Sequence, residues 1–239
     1  NAGETSCKDC PAGRYRTTDN ANDNQDWDGD LTSNGNNDGM NAIADCTICG
    51  AGKYSEATKA SDESTCIICV GGKYLATNGI ATDHDQESDC SHCPTGTYMD
   101  VGDGNVATEH DQPDDCKQCE KGTYQANTGQ TSCDVCVPGK YRDTPSTSDA
   151  YDGSSNNANL NDCIICPAAT YLEDDANPTA DKHDELNDCE DCPAGRYGVN
   201  MNTNVDDHNE LSDCTICGAG KYSAATKASD ESTCIICVG

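Results

Sequence analysis

The feature that most constrains this chain is a nine-residue unit, Cys-x-x-Cys-x-x-Gly-x-Tyr, first read at Cys7, Cys10, Gly13 and Tyr15. It returns with leading cysteines at Cys46, Cys66, Cys90, Cys116, Cys133, Cys163, Cys189 and Cys214, and a tenth copy, Cys234 to Gly239, stops short of its tyrosine. The ten copies use all 20 cysteines and nine of the 10 tyrosines, leaving Tyr151 outside. A unit recurring every few tens of residues marks a tandem array, in which each element packs on its neighbours and no single core forms.

Composition agrees. Among 239 residues there is no Phe, one Trp (Trp27), and little Leu, Ile or Val. Hydrophobicity alone would describe a disordered acidic polymer. The cysteines reverse that reading, because modules without a core are held by disulfides in oxidising compartments. A secreted, extracellular or cell-surface location follows.

The net charge is −29, from 43 acidic and 14 basic residues. Phosphates require clustered Lys and Arg, so nucleic acid is excluded as a partner, and anionic lipid with it. Six basic residues (Arg14, Lys53, Lys73, Lys140, Arg196, Lys221) occupy one motif slot, between Gly and Tyr, and form no local patch. No apolar run is long enough to span a membrane. The opening Asn1 to Cys7 resembles the internal stretch Asn127 to Cys133, so the chain reads as a window on a longer array, with any secretory signal upstream.

Numbered 1 to 10 by their leading cysteines, the repeats divide the chain at 1–45, 46–65, 66–89, 90–115, 116–132, 133–162, 163–188, 189–213, 214–233 and 234–239. The connectors between Cys-x-x-Cys pairs hold 13 to 35 residues rich in Asp, Asn, Ser, Thr and Gly, which favour turns. None shows a sustained helical period, and the Gly-x-Tyr segments suit strands of two or three residues. The expected fold class is therefore small disulfide-rich repeats: an elongated tandem array of short β-hairpins and loops, almost no helix, no single core. Four connectors carry a second signature, a His six residues before the next cysteine: His84, His110, His183 and His208. These histidines are expected to cap turns. Residues 45–71 recur as 213–239 with one difference, Glu56 against Ala224. Such a recent multi-repeat duplication suits a polymer of variable length.

A disulfide needs Cα atoms ~4.4–6.8 Å apart. A ladder meets this if the second Cys of each pair bonds the first Cys of the next: Cys10–Cys46, Cys49–Cys66, Cys69–Cys90, Cys93–Cys116, Cys119–Cys133, Cys136–Cys163, Cys166–Cys189, Cys192–Cys214 and Cys217–Cys234. Cys7 and Cys237 are then left for neighbouring modules or subunits. Zinc is the rival, since Cys-x-x-Cys pairs also make tetrahedral sites. Zinc would consume pairs two at a time, whereas every pair here carries the same Gly-x-Tyr tail. Thioredoxin-like redox chemistry lacks its βαβ setting. The motif Gly suits a positive φ or a close approach, and Ala169, standing in its place once, points to size as the requirement. The tyrosines supply each module with a mini-core, or else a ligand-binding aromatic row.

Asp26, Asp28 and Asp30, with Asn24, resemble a calcium loop, although Gly35 stands where its closing Glu belongs. A calcium ion is the one cofactor these carboxylates would hold, the alternative being a solvated acidic loop. Asn161 and Asn187 sit in Asn-x-Cys triplets, and Thr144, Ser146 and Thr147 form an expected O-glycan cluster. No nucleophile–base pair recurs, so no enzyme activity is expected.

The motif, exemplified by Cys93-Pro94-Thr95-Gly96-Thr97-Tyr98 with its eight counterparts, resembles the cysteine-rich repeats of ephrin-receptor-like and tumour-necrosis-factor-receptor-like ectodomains, relatives of EGF-like modules. It is also similar to the repeats of algal and protist surface proteins, including flagellar hairs (mastigonemes). The long acidic connectors depart from these families. The resemblance implies a rod of disulfide-linked modules. The expected function is a glycosylated structural subunit of an extracellular filament or hair, its partners being itself, as a homopolymer or helical filament, and glycans. The alternative is a receptor or adhesion ectodomain binding a protein ligand.

Overall fold

The computed structural model describes residues 10–16, 46–100, 106–143, 160–174, 178–198 and 204–238. They fall into two compact units, Asn1–His92 with Val101–Asp115, and Cys93–Asp100 with Cys116–Gly239. The same hairpin builds both.

In repeat 2, Gly50 accepts the Lys53 N–H at 3.1 Å, closing a turn with Gly52 at φ 73°. The chain leaves this turn as the strand Lys53–Tyr54, which pairs antiparallel with Ile67–Ile68, the two residues inside the next Cys-x-x-Cys. Among the described residues all nine sheets repeat this design with two residues per strand. In eight pairs the second Cys adds a rung: the Cys49 N–H donates to the Gly13 carbonyl and the Cys69 N–H to that of Gly52, both at 2.9 Å. A two-stranded ribbon this short is unstable alone. A disulfide closes each one.

Nine disulfides join Cys10–Cys46, Cys49–Cys66, Cys69–Cys90, Cys93–Cys116, Cys119–Cys133, Cys136–Cys163, Cys166–Cys189, Cys192–Cys214 and Cys217–Cys234, which are the pairs of the ladder. Their Cα atoms lie 5.6–6.0 Å apart. Each bond closes a loop of 14 to 36 residues, of a size for which chain-entropy models give roughly 3–4 kcal/mol.

Among the described residues there is no α-helix. The connectors hold three-residue 3₁₀ turns, such as Glu63–Thr65 and Glu87–Asp89, which need one i→i+3 bond and leave no apolar period to read. The core is divided the same way. Tyr15 packs with Cys49 and Cys66, Tyr54 with Cys69 and Cys90, Tyr141 with Cys166 and Cys189, and Tyr171 with Cys192 and Cys214. Each of these tyrosines thus covers the disulfide of the following repeat. The mini-core lies between repeats.

The basic slot is also internal. Lys53, Lys73 and Lys221 reach Glu63, Glu87 and Glu231 at 2.7–3.0 Å, on the 3₁₀ turn before the next cysteine. Arg14 and Arg196 donate to the carbonyls of Cys46 and Cys214 at 2.6 and 2.8 Å. Lys140 donates to the Leu160 carbonyl, and burial pulls its ammonium below the ordinary lysine value. Where the slot holds Thr97, Thr123 or Thr170, the hydroxyl bonds back to its own turn at 2.7–2.8 Å.

Candidate interaction surface

What varies from repeat to repeat is the connector, and two kinds meet the preceding repeats differently. Short connectors reach back one repeat. Lys59, Gly129 and Lys227 donate their N–H groups to the carbonyls of Cys10, Cys93 and Cys192 at 2.8–2.9 Å. Ala60, Gln130 and Ala228 accept from Arg16, Met99 and Gly198, the residues just after a motif tyrosine.

His connectors reach back two. The carbonyls of His84, His110, His183 and His208 accept from Ser55, Leu75, Arg142 and Leu172, one repeat behind. The histidine Nδ1 atoms face the carbonyls of Lys53, Lys73, Lys140 and Thr170, at 2.8–2.9 Å. A carbonyl only accepts, so each Nδ1 carries its proton. The four rings are at most 2% exposed. Each histidine caps its own 3₁₀ turn through its backbone N–H, as expected, and its ring bonds a strand one repeat away as well. Ahead of each His, the turn's first residue settles on a motif glycine two repeats behind. A Cβ on Gly13, Gly52 or Gly122 would stand 2.2–2.3 Å from the carbonyl oxygen of Ala81, Ala107 or Ala180, and one on Gly139 2.9 Å from that of Val205.

This geometry corrects the reading of Ala169. Its φ is 65°, as left-handed as the glycines it replaces, so positive φ is required everywhere. Size is the second requirement, imposed where a His connector arrives two repeats later. Repeat 9, two beyond Ala169, has a short connector.

His183 differs from the other histidines in that its Nε2 lies 2.6 Å from Asp174 Oδ1, so both its ring nitrogens have partners, whereas the Nε2 atoms of His84 and His208 have none. Beside it is an open cleft of about 560 Å³ lined by residues including Leu172, Glu173, Asp181, Lys182 and Glu190. Glu190 accepts the Tyr171 hydroxyl at 2.6 Å, and this bond, with burial, pushes the phenol up to about 12. Asp184, Glu185 and Asp188 each offer a carboxylate oxygen within 4.8 Å of the others, and Asp188 already accepts the Glu185 N–H. In the equivalent turn of repeat 4, burial and the neighbouring Asp115 raise Asp111 above the ordinary aspartate value. Sequence reasoning missed this acidic cleft, although the run Glu173-Asp174 with Asp181, Asp184 and Asp188 marks repeat 7 as the most acidic of the His repeats.

The calcium candidates Asp26, Asp28 and Asp30, the glycan candidates Thr144, Ser146 and Thr147, and Cys7 lie outside the described residues. Among the described cysteines Cys237 alone is free, and it is exposed. No helix among the described residues is long and apolar enough to cross a membrane.

Two-residue hairpins, tandem disulfides and inter-repeat mini-cores define a cysteine-rich repeat array of extracellular type. Residues 108–152 match the family model described as tyrosine-protein kinase ephrin type A/B receptor-like, a span that holds the end of repeat 4, all of repeat 5 and the motif of repeat 6. No curated protein matches the chain in sequence.

Proposed function

We propose that the chain is a structural segment of a secreted or surface-displayed protein, and that its repeats assemble into an extracellular filament. The observation carrying this reading is the joint itself. Every described joint uses the same two-residue hairpin and left-handed turn, four of them add a buried histidine, and 27 consecutive residues recur with one change. Equivalent joints at a regular interval are what a fibre needs along its length. Strong negative charge keeps such a surface soluble and selects basic or cationic partners.

Light scattering and electron microscopy of the oxidised chain over rising concentration test the proposal. Filaments with a regular axial repeat are expected, and a chain that stays monomeric throughout overturns it. A receptor or adhesion ectodomain is the second reading. The receptor-like match over residues 108–152 and the acidic cleft where repeats 7 and 8 meet favour it, and a monomeric chain that captures a basic protein would select it.

A further inference from the structure

In three of the four His connectors an asparagine stands three residues ahead of the first residue of the 3₁₀ turn, as Asn78, Asn177 and Asn202. The residues after them are Gly79, Pro178 and Thr203. That following residue decides what the asparagine can undergo, because its side-chain amide carbon is open to attack by the next backbone nitrogen. Proline has no N–H to lose, and threonine is branched at Cβ and crowds the approach. Glycine has neither obstacle. The chain's other Asn-Gly pair, Asn34-Gly35, lies outside the described residues.

Repeat 3 arranges the rest of the chemistry. Asn78 and Gly79 are exposed, Gly79 has φ 78°, and nothing lies within 4 Å of a Cβ built on it. The Ile80 N–H donates to Asn78 Oδ1 at 2.9 Å, on the oxygen where charge collects when the amide carbon is attacked. Asn78 Nδ2 donates to Asp83 Oδ2, which ties the side chain to the turn Ala81–Asp83. The Gly79 N–H is held loosely, by the Thr77 hydroxyl at 3.4 Å.

We propose that Asn78 is a site of spontaneous deamidation, and that its conversion loosens the seat of the His84 turn on repeats 1 and 2. The Gly79 nitrogen bonds to Asn78 Cγ and gives its proton to water. The Cγ–Nδ2 bond then breaks, and the nitrogen takes up a proton and leaves as ammonia. Water opens the cyclic imide at either carbonyl, leaving aspartate or isoaspartate at position 78. One water is consumed and one ammonia released, and nothing is oxidised or reduced. Either product ends the Nδ2 hydrogen bond and sets a second carboxylate against Asp83. Isoaspartate also lengthens the backbone by one methylene just ahead of the turn. That turn carries Ala81, which sits on Gly13, and His84, which bonds Lys53 and Ser55. The site holds whether or not filaments form.

The test holds the secreted, oxidised chain in mildly alkaline buffer for weeks and maps its peptides by mass, with aspartate and isoaspartate forms separated by chromatography. Asn78 is expected to convert several-fold faster than Asn177 and Asn202. Gly79→Ala should slow the conversion several-fold, and Asn78→Gln, which leaves the glycine and its φ untouched, should do the same. In the aged chain, and in Asn78→Asp without ageing, the Ser55 amide should exchange with deuterium several-fold faster, while the Leu172 amide keeps its protection. The proposal is overturned if Asn78 converts no faster than Asn177 and Asn202. Conversion in the reduced, denatured chain alone overturns it too, since the bonds to Ile80 and Asp83 would then guard the amide. Unchanged Ser55 exchange in the aged chain would overturn the loosening of the joint.

Discussion

Gly198 lies against the backbone of Ala169: a Cβ on Gly198 would stand 2.6 Å from the Ala169 Cα and 3.2 Å from the Cys192 sulfur. Repeat 7 is the one place where the motif glycine is an alanine, and the residue that meets it from repeat 8 is the one glycine found after a motif tyrosine. The missing side chain at 198 is what lets the backbone of Ala169 and the Cys192 sulfur come this close.

Gly198→Ala should therefore destabilise repeats 7 and 8 by about 1–3 kcal/mol, the usual cost of overpacking, read as a lower melting temperature with disulfides intact. Ala169→Gly should gain up to ~1 kcal/mol by relieving its positive φ. If Gly198→Ala leaves stability unchanged, the complementarity is incidental.

Lys59 and Lys227 occupy the left-handed position of the short connectors with φ 65° and 55°, where repeat 5 places Gly129 at 71°. Lys59→Gly should stabilise the chain by roughly 0.5–1 kcal/mol, since a non-glycine residue there carries steric strain. Lys227→Gly should shift stability in the same direction, net of the exposed ion pair that Lys227 makes with Asp191 at 3.0 Å. A loss of stability in Lys59→Gly, read by chemical denaturation, would contradict the strain.

His84→Ala should strand the buried Lys53 carbonyl and cost ~1–3 kcal/mol. The Ser55 amide, which donates to the His84 carbonyl, should then exchange with deuterium faster, while the Leu172 amide in the other unit keeps its protection. Loss of protection at both would show global unfolding rather than an opened joint.

Tyr171 should be among the last phenols to ionise. Its native value of about 12 exceeds the ordinary 10.0, so the folded state holds this proton more tightly. Its contribution to stability is complete below pH 10 and disappears as pH rises towards 12. Glu190→Ala should bring the phenol down, visible as an earlier step in the alkaline ultraviolet difference spectrum. An unshifted titration would dismiss the Glu190 bond as the cause.

Much of the architecture was legible because it is local. Two residues between cysteines, a glycine turn and a tyrosine strand define a hairpin within a short window, and the want of apolar residues excludes a central core. The joints were not legible. His84 sits 31 residues from Lys53, and His183 sits 43 from Lys140, and spacing along the chain does not reveal such partners. One signal was available: Gly13, Gly52, Gly122 and Gly139 each precede a His connector by two repeats, whereas Ala169 does not. Reading Ala169 as evidence about size alone missed its φ, because a side chain says nothing of the backbone angle it tolerates.

The reach of the His connectors sets a rule for how such a chain can change length. Because a turn in one repeat settles on a glycine two repeats earlier, excising a single repeat would bring the wrong turn over the wrong residue at several joints at once. Removing or copying a block that keeps connector kinds in phase disturbs no joint but those at its borders. Changes of length that keep every joint intact are thereby expected to move blocks of more than one repeat. The inheritable unit is larger than the unit that folds.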